Sequence, residues 1–407
     1  MPAAPHAAPP LARAALPLAA FWFLLLGSFG LMLPYYGLYL RENAGLSGSE
    51  VGAVFAVVPL VGILSQPLWG GVADRTGMRA RVLVLLCVGS GAGFFALALA
   101  HGFAALLLAT ALLALFSRAV IPITLSVSLP ALEDHPHAFP LVRAVGTLGF
   151  LAAVLLFPPL LARWQAMRGL LPQPGGPSQP GLALFLPLAA GLSLAAAAVV
   201  LAVPNRGAVA VRALRGEWRS LRRNRPFARV LAVGCAAFLF QSGPLELFPI
   251  FVRARGGDLD TVRRLWVVML VPEMVLIAFL GAAVARLGPR ALLALGIAAG
   301  GVRWLLSGLL ASLAWLAPVQ ALHAVVVAGL MLGGPLYIDA VVPAQLRSTA
   351  QALFGVVAVG LGGACSSLIS GWLLQHAGPD APYLAGGIGS LGLLLALPRA
   401  LARVPLR

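Results

Sequence analysis

Seven ionisable side chains lie inside long apolar stretches of this 407-residue sequence: Arg118, Arg143, Glu246, Glu273, Arg303, His323 and Asp339. In a bilayer, an arginine or aspartate at a helix centre costs about 2.5–3.5 kcal/mol, against roughly 0.3–0.6 kcal/mol gained per Leu, Ile, Phe or Val. An apolar helix of about 20 residues can therefore carry one such group, provided that the group faces protein or water. Each of the seven is a candidate for binding a solute or a proton between helices.

The composition excludes a water-soluble globular protein. Hydrophobic residues make up 60% of the sequence and charged residues 10%, and the mean hydropathy is +0.97. The apolar runs are long and continuous, which predicts membrane-spanning helices and not barrel strands. We expect an all-α membrane protein with twelve transmembrane helices and short connections. The expected spans are residues 18–40, 51–71, 82–101, 103–127, 140–162, 183–203, 230–252, 264–285, 291–312, 314–337, 347–373 and 381–402.

The arginines indicate the orientation of the chain. All 28 basic residues are arginines, and most lie between apolar runs, so the net charge of +16 does not indicate a nucleic-acid partner. With both termini in the cytoplasm, eighteen arginines fall on the inner side and seven on the outer side. Because inner loops of membrane proteins are enriched in arginine, this excess predicts that orientation.

The sequence shows no pattern typical of an enzyme. It has no phosphate-binding loop, no Ser/His/Asp set and no paired carboxylates at a plausible site. Cys87, Cys235 and Cys365 lie in apolar runs, where cysteine usually packs, and His323 has no other His or Cys at ligand spacing. We therefore expect neither a metal nor any other cofactor.

An arginine-rich segment divides the chain into halves of six predicted helices. Residues 204–229 contain eight arginines, so we expect an N-terminal bundle at 1–203, a cytoplasmic linker at 204–229 and a C-terminal bundle at 230–407. The linker could instead bind a partner or anionic lipid. The pattern of residues 70–79 recurs at 281–290, an offset of 211, which indicates two pseudo-symmetric bundles.

The loop after the second predicted helix resembles the signature of the major facilitator superfamily of secondary transporters. Gly70, Asp74, Arg75, Gly77 and Arg79 supply it. A glycine at the first position lets helices approach, Gly77 permits a tight turn, and Asp74 can cap a helix or pair with arginines. The resemblance covers essentially the whole chain, and it implies that these residues gate a cytoplasmic opening between the two bundles.

A closer resemblance is to the branch that contains lactose permease and phenylpropionate permease. Residues 34–41, 67–74 and 139–150 carry it in the first half, and residues 272–274, 302–304, 322–323 and 342–351 in the second. It implies a small-molecule substrate and proton-coupled symport.

One face of the fifth predicted helix is a candidate binding surface. Arg143, Gly146, Thr147 and Phe150 share that face at helical spacing. The resemblance implies that Arg143 contacts substrate and that Phe150 stacks on it. Alternatively, Arg143 extends towards the cytoplasm and Phe150 only packs. The family's acidic partner for this arginine would fall near Leu125, where no acid occurs, so an organic acid ranks above a neutral sugar.

The resemblance assigns substrate binding and proton coupling to Glu273, Arg303 and His323. The family's lysine is Gln320 here, and its main proton-carrying glutamate is Val326. We therefore expect an interior acid, Glu273 or Glu246, to carry the proton, and Arg303 to bind and release the Glu273 carboxylate. Two static alternatives are a buried pair of Glu273 with Arg303 and a merely packed His323.

Two other acids are candidates at the ends of helices. Gly243 and Pro244 should bend the seventh helix next to Glu246, which either lines an outer gate and contacts substrate or reaches water. Asp339 lies close in sequence to Arg347, so it is either a gating ion pair or an ordinary interfacial acid.

These observations predict a symporter of a small organic acid or sugar-like solute in the bacterial cytoplasmic membrane. We expect it to act as a lipid-embedded monomer, driven by protons. Arg118 is similar to the helix 4 arginine of drug antiporters, but the residues that follow it there are missing, so proton-antiport efflux is the alternative. A receptor or scaffold that kept the fold is a third possibility.

Overall fold

Long apolar runs become helices here because a helix satisfies its own backbone hydrogen bonds, as a lipid environment requires. The structure is a computed structural model that describes residues 11–133, 135, 137–171, 179–203, 221 and 223–402, without the side chains of residues 11–14 and 277–286. Every regular element in these residues is helical. The helices are α1 Leu11–Leu38, α2 Gly48–Thr76, α3 Arg79–Leu99, α4 Gly102–Ala131, α5 Ala138–Arg168, α6 Phe185–Val200, α7 Arg225–Glu246, α8 Phe248–Ala254, α9 Leu259–Leu287, α10 Pro289–Leu309, α11 Leu313–Gln320, α12 His323–Val341, α13 Arg347–Phe354, α14 Gly363–His376 and α15 Ala381–Ala400.

Eleven helical spans of the described chain are long and apolar enough to cross a membrane. With α9, which has 29 residues, they correspond to the twelve expected crossings. Most are longer than expected: the second, for instance, is Gly48–Thr76 instead of 51–71. The additional turns contain polar residues, which a search for apolar runs leaves out.

Three crossings are interrupted, one of them as predicted. The seventh breaks at Leu247, between α7 and α8, three residues after Pro244. The tenth divides into α11 and α12, and the eleventh contains a π-helical stretch at Gly355–Gly362 between α13 and α14. The predicted bend next to Glu246 is therefore present, whereas the other two interruptions were not predicted.

The seventh crossing also begins earlier than expected. The Asn224 side chain accepts a hydrogen bond from the Phe227 backbone N–H at 3.0 Å and caps α7, with a proline in the first turn. Residues 225–229, placed in the linker by the sequence, are therefore helical. Residues 204–220 and 222 of that linker lie outside the described residues.

Capping residues begin or end several helices at the two faces of the molecule. Ser47 and Glu50 form a capping box at the start of α2. Gly77 ends that helix with φ +66°, the left-handed conformation that favours glycine. Between α8 and α9, hydrogen bonds from the Thr261 hydroxyl and backbone N–H lower the pKa of Asp258.

The helices pack mainly within each half of the chain. In the first half, α1 packs on α5 and α6, α3 on α4 and α6, and α2 on α4. In the second, α10 packs on α12 and α15, α7 on α14 and α15, and α9 on α12. The halves meet where α2 packs on α14, α5 on α9 and α1 on α8. We call the end with residues 77–78 the motif end, and the end with residues 44–47 and 255–258 the far end.

Contacts at the far end join the two halves. Arg253 Nε lies 3.1 Å from Glu42 Oε1, and the Ser49 backbone N–H donates to Gln375 Oε1 at 2.9 Å. A Cβ added to Gly48 would lie 2.8 Å from the Gly371 carbonyl oxygen, so the backbones of α2 and α14 nearly touch. The far end is therefore closed.

Glycines also let α1 and α5 pack closely, which generates a stability prediction. A Cβ on Gly149 would lie 2.7 Å from the Phe23 carbonyl carbon, whereas a Cβ on Gly191 in α6 would contact nothing within 4 Å. Gly149→Ala should destabilise the protein by about 1–3 kcal/mol, the usual cost of overpacking. Gly191→Ala should be neutral or stabilising, since alanine favours helix by roughly 1 kcal/mol.

The apparent midpoint of thermal unfolding, followed by tryptophan fluorescence in detergent, measures both effects. Equal midpoints for the two variants would show that the α1–α5 contact is not this close.

Candidate functional site

Arg303 on α10 is fully enclosed by protein, with 1% of its surface exposed. Its Nε donates to Gln320 Oε1 at 2.8 Å, and its Nη1 donates to His323 Nδ1 at 3.0 Å. Its Nη2 lies 3.3 Å from Met269 Sδ, and the guanidinium carbon lies 3.9 Å from the Trp304 ring centroid. The charge is thus satisfied inside the second half by hydrogen bonds and a cation–π contact.

His323 stands between Arg303 and Glu273. Because arginine can only donate, His323 Nδ1 is the acceptor of that hydrogen bond, and a neutral imidazole then carries its proton on Nε2. Nε2 lies 3.7 Å from Glu273 Oε2. The expected direct contact between Glu273 and Arg303 is wrong for this conformation, since the imidazole occupies the space between the two groups.

Arg143 on α5 faces Glu273 on α9, across the contact between the two halves. The two charges interact electrostatically. The Arg143 guanidinium lies over the Trp22 ring, 4.8 Å from its centroid, and Nη1 lies 3.4 Å from Thr147 Oγ1. Glu273, His323 and Arg303 are thus linked through the interior, and Arg143 interacts with Glu273 electrostatically without a direct ion pair. We call these four residues together with Gln320 the Arg303 network.

The other members of the predicted α5 face are packed. Gly146 lies against Trp22 on α1, and Phe150 is 9% exposed. The Phe150 ring centroid lies 6.1 Å from that of Trp266 on α9. The aromatic side chain therefore fills the contact between α5 and α9 in this conformation.

A second polar site lies in a cavity of about 470 Å³ between α1, α2, α4 and α7. Arg118 on α4 and Glu246 at the end of α7 both line it. The Ser367 hydroxyl on α14 donates to Glu246 Oε2 at 2.6 Å. The cavity extends from Tyr36 to Gln66. Gln66 lies nearer the motif end, and its side chain is exposed.

The sequence indicated Arg118 as an interior charge but did not include it among the site residues. The cost of a charge in the bilayer showed that Arg118 must face protein or water, but which helix lies opposite α4 depends on tertiary packing. The juxtaposition of Arg118 with Glu246, 128 positions along the chain, therefore had no local signal.

At the motif end, two of the predicted gating residues, Asp74 and Arg79, form an ion pair. Asp74 Oδ1 lies 2.9 Å from Arg79 Nη2, and Gly77 makes the tight turn. Arg75 is exposed. A Cβ on Gly70 would contact nothing within 4 Å, so the expected close helix approach at this glycine is wrong for this conformation.

The expected ion pair between Asp339 and Arg347 does not form. Asp339 Oδ1 accepts a hydrogen bond from Gln351 Nε2 at 2.8 Å, and Arg347 Nε lies 3.4 Å from the Val342 carbonyl oxygen. The start of α13 turns Gln351, one helical turn after Arg347, towards the acid.

Membrane-spanning helices that enclose charged groups and a cavity between two halves define a multi-pass membrane transporter, not an enzyme. Among the described residues, no group of three or more His, Cys, Asp or Glu side chains could hold a metal ion. The model of the MFS_1 like family matches residues 15–385, and the chain belongs to this family within the major facilitator superfamily. Its substrates are small molecules.

Several transporters match this chain along nearly their whole length. The chain is 29% identical to a maltose permease of Geobacillus stearothermophilus over 389 residues, covering 93% of each protein. It is 25% identical to a probable 3-phenylpropionic acid transporter of Escherichia coli K12, covering 95% of this chain and 96% of that protein. The crystal structure of a variant of the nucleoside transporter NupG shares the fold, with a TM-score of 0.82 at 17% identity, over 95% of this chain and all of that one.

The Arg303 network predicts that Gln320 is important for stability. Gln320 accepts from Arg303 and donates to Ser307 Oγ at 3.0 Å, and it is fully buried. Gln320→Ala should lower the free energy of unfolding by about 1–3 kcal/mol, because it leaves a buried charged donor without its partner. The matched control Gln351→Ala, at an exposed hydrogen bond, should cost no more than about 0.5 kcal/mol.

Thermal unfolding in detergent compares the two variants. A midpoint for Gln320→Ala that matches Gln351→Ala would contradict the assignment of Gln320 as a required partner of Arg303.

Proposed function

We propose that this protein is a proton-coupled symporter of a small organic solute. The Arg303 network carries this proposal, because Glu273 on α9 contacts His323 and interacts electrostatically with Arg143 on α5 of the other half. Both charges are half-buried at the contact between the halves. A proton or a solute that reaches Glu273 would therefore change how strongly the halves attract each other.

The proposed mechanism is alternating access. The bundles at 1–203 and 230–407, joined by the linker at 204–229, would rock about a central site. The closed far end, with Glu42 and Arg253 in contact, corresponds to one state. In the opposite state, Gly70, Asp74, Arg75, Gly77, Arg79 and Asp339 would hold the motif end closed.

Glu273 is the proposed proton carrier, with His323 and Arg303 as its partners. Protonation would remove the Glu273 charge and so its attraction to Arg143 and His323. The imidazole between Glu273 and Arg303 would relay the change to the second half.

The solute would bind between the halves, and it is an organic acid or a sugar-like molecule. The proposed contacts are Arg143, Thr147, Phe150, Glu246, Glu273 and Arg303. The maltose permease and the probable 3-phenylpropionic acid transporter among the similar proteins support this size range. The arginine excess on one side supports the orientation with both termini in the cytoplasm. In this proposal the protein acts as a monomer, surrounded by lipid in the bacterial cytoplasmic membrane.

Uptake into proteoliposomes tests the proposal. The panel is 3-phenylpropionate, succinate, maltose, uridine, L-phenylalanine and the cationic dye ethidium, each with and without an inward proton gradient. We expect gradient-driven accumulation of one solute above its outside concentration. In Glu273→Gln, the same solute should still exchange without a gradient but should no longer accumulate, because an amide carries no proton.

Glu133→Gln, at an exposed acid in the connection after α4, is the matched control and should accumulate solute normally. Full proton-driven accumulation by Glu273→Gln would remove Glu273 as carrier. Accumulation of ethidium only with the reversed gradient would replace symport by efflux.

A further inference from the structure

Arg118 differs from Arg303 in having no hydrogen-bond partner among the residues that the structure describes. None of its guanidinium N–H groups donates to another described residue, and its Nε is buried beside Gly62 on α2. Arginine remains charged in proteins and has five donors in a fixed fork. A guanidinium in a largely apolar wall is costly unless water or a ligand accepts its hydrogen bonds. Arg118 is partly buried and lines the cavity, so its N–H groups that reach the cavity can donate to the contents of the cavity.

Glu246 lies opposite Arg118 without forming a direct ion pair. The two groups interact electrostatically, and both line the cavity. Glu246 receives one hydrogen bond, from Ser367, which leaves acceptor capacity on the carboxylate. The cavity therefore presents one positive and one negative group to its contents, and its own charges balance.

The rest of the wall is mainly apolar and contains few free hydroxyl groups. The Tyr36 and Thr110 hydroxyls hydrogen-bond to each other, and Thr110 also donates to the Leu106 carbonyl oxygen. Such a wall suits an apolar body better than a sugar, whose many hydroxyls each need a partner. Apolar and aromatic side chains that line it include Phe29, Met32, Leu33, Phe55, Val58 and Leu113.

We propose that the Arg118–Glu246 cavity binds a small amphipathic zwitterion, with its carboxylate on Arg118, its ammonium group on Glu246 and its apolar body on the aromatic wall. Two N–H groups of the guanidinium can pair with both carboxylate oxygens. A solute with only one charge would pair with either Arg118 or Glu246 and leave the other of these two groups without a counter-charge. The cavity therefore selects against such a solute. The inference rests on the proposed function, because it names the solute that the transporter carries.

Matched sets of three compounds test the charge requirement. One set is L-phenylalanine, 3-phenylpropionate, which lacks the ammonium group, and phenethylamine, which lacks the carboxylate. A second is L-leucine, 4-methylpentanoate and 3-methylbutylamine. Thermal stabilisation of the purified protein across a concentration series gives the apparent affinity of each. We expect a zwitterion to bind the wild type about 10- to 100-fold more tightly than its singly charged analogues, the range for one lost charge-assisted contact.

Variants at the two charges should change this preference in opposite directions. Glu246→Gln leaves the cavity positive, so the zwitterion should lose its advantage over the carboxylate. Arg118→Gln leaves the cavity negative, so the zwitterion should lose its advantage over the amine. Arg264→Gln, at a largely exposed arginine that pairs with Asp260 at the far end, is the matched control and should keep the wild-type order.

If Arg118→Gln does not fold, Glu246→Gln alone still tests the proposal, because this substitution preserves the shape of the side chain. The proposal is overturned if no zwitterion binds the wild type more tightly than its singly charged analogues, or if Glu246→Gln keeps the wild-type preference. Proton-driven accumulation of maltose or 3-phenylpropionate without zwitterion binding would contradict this inference and leave symport intact. Zwitterion binding without accumulation of any solute would support this inference and contradict symport.

Discussion

The high cost of an ionised side chain in hydrocarbon determines where this chain can place its charges. The structure meets this constraint in two ways. Arg303 is enclosed by Gln320, His323, Met269 and Trp304, so its charge is compensated by the protein itself. Arg118 instead borders a cavity and has no hydrogen-bond partner among the described residues. The first arrangement stabilises the fold of the second half, and the second leaves binding capacity for a solute.

The same constraint makes the halves dependent on each other. Arg143 belongs to the first half and Glu273 to the second, and their charges interact electrostatically where α5 packs on α9. At the far end, the ion pair of Arg253 with Glu42 and the close backbones of α2 and α14 hold the halves together. Polar pairs and small residues thus add to the apolar contacts between the halves, such as that of Phe150 with Trp266.

The sequence predicted the helices well because a membrane span has a strong local signal: about 20 apolar residues in a row. It also predicted the turn at Gly77, where a positive φ favours glycine. It did not predict the π-helical stretch at Gly355–Gly362, since that depends on packing against α2 and α7. Nor did it predict which charges meet: His323 between Glu273 and Arg303, Gln351 on Asp339, and Arg118 opposite Glu246. Partners far apart in sequence are set by tertiary packing, which local spacing does not encode.

If the two halves rock about the charged interior, distances between spin labels at the two ends must change in opposite directions. Labels at the exposed positions Leu99 and Leu309 report on the far end, and labels at Met78 and Leu287 report on the motif end. The native cysteines Cys87, Cys235 and Cys365 would first be replaced. When pH is lowered or solute is added, we expect a longer distance at the far end together with a shorter one at the motif end. Distances that stay fixed, or that lengthen together at both ends, would contradict it.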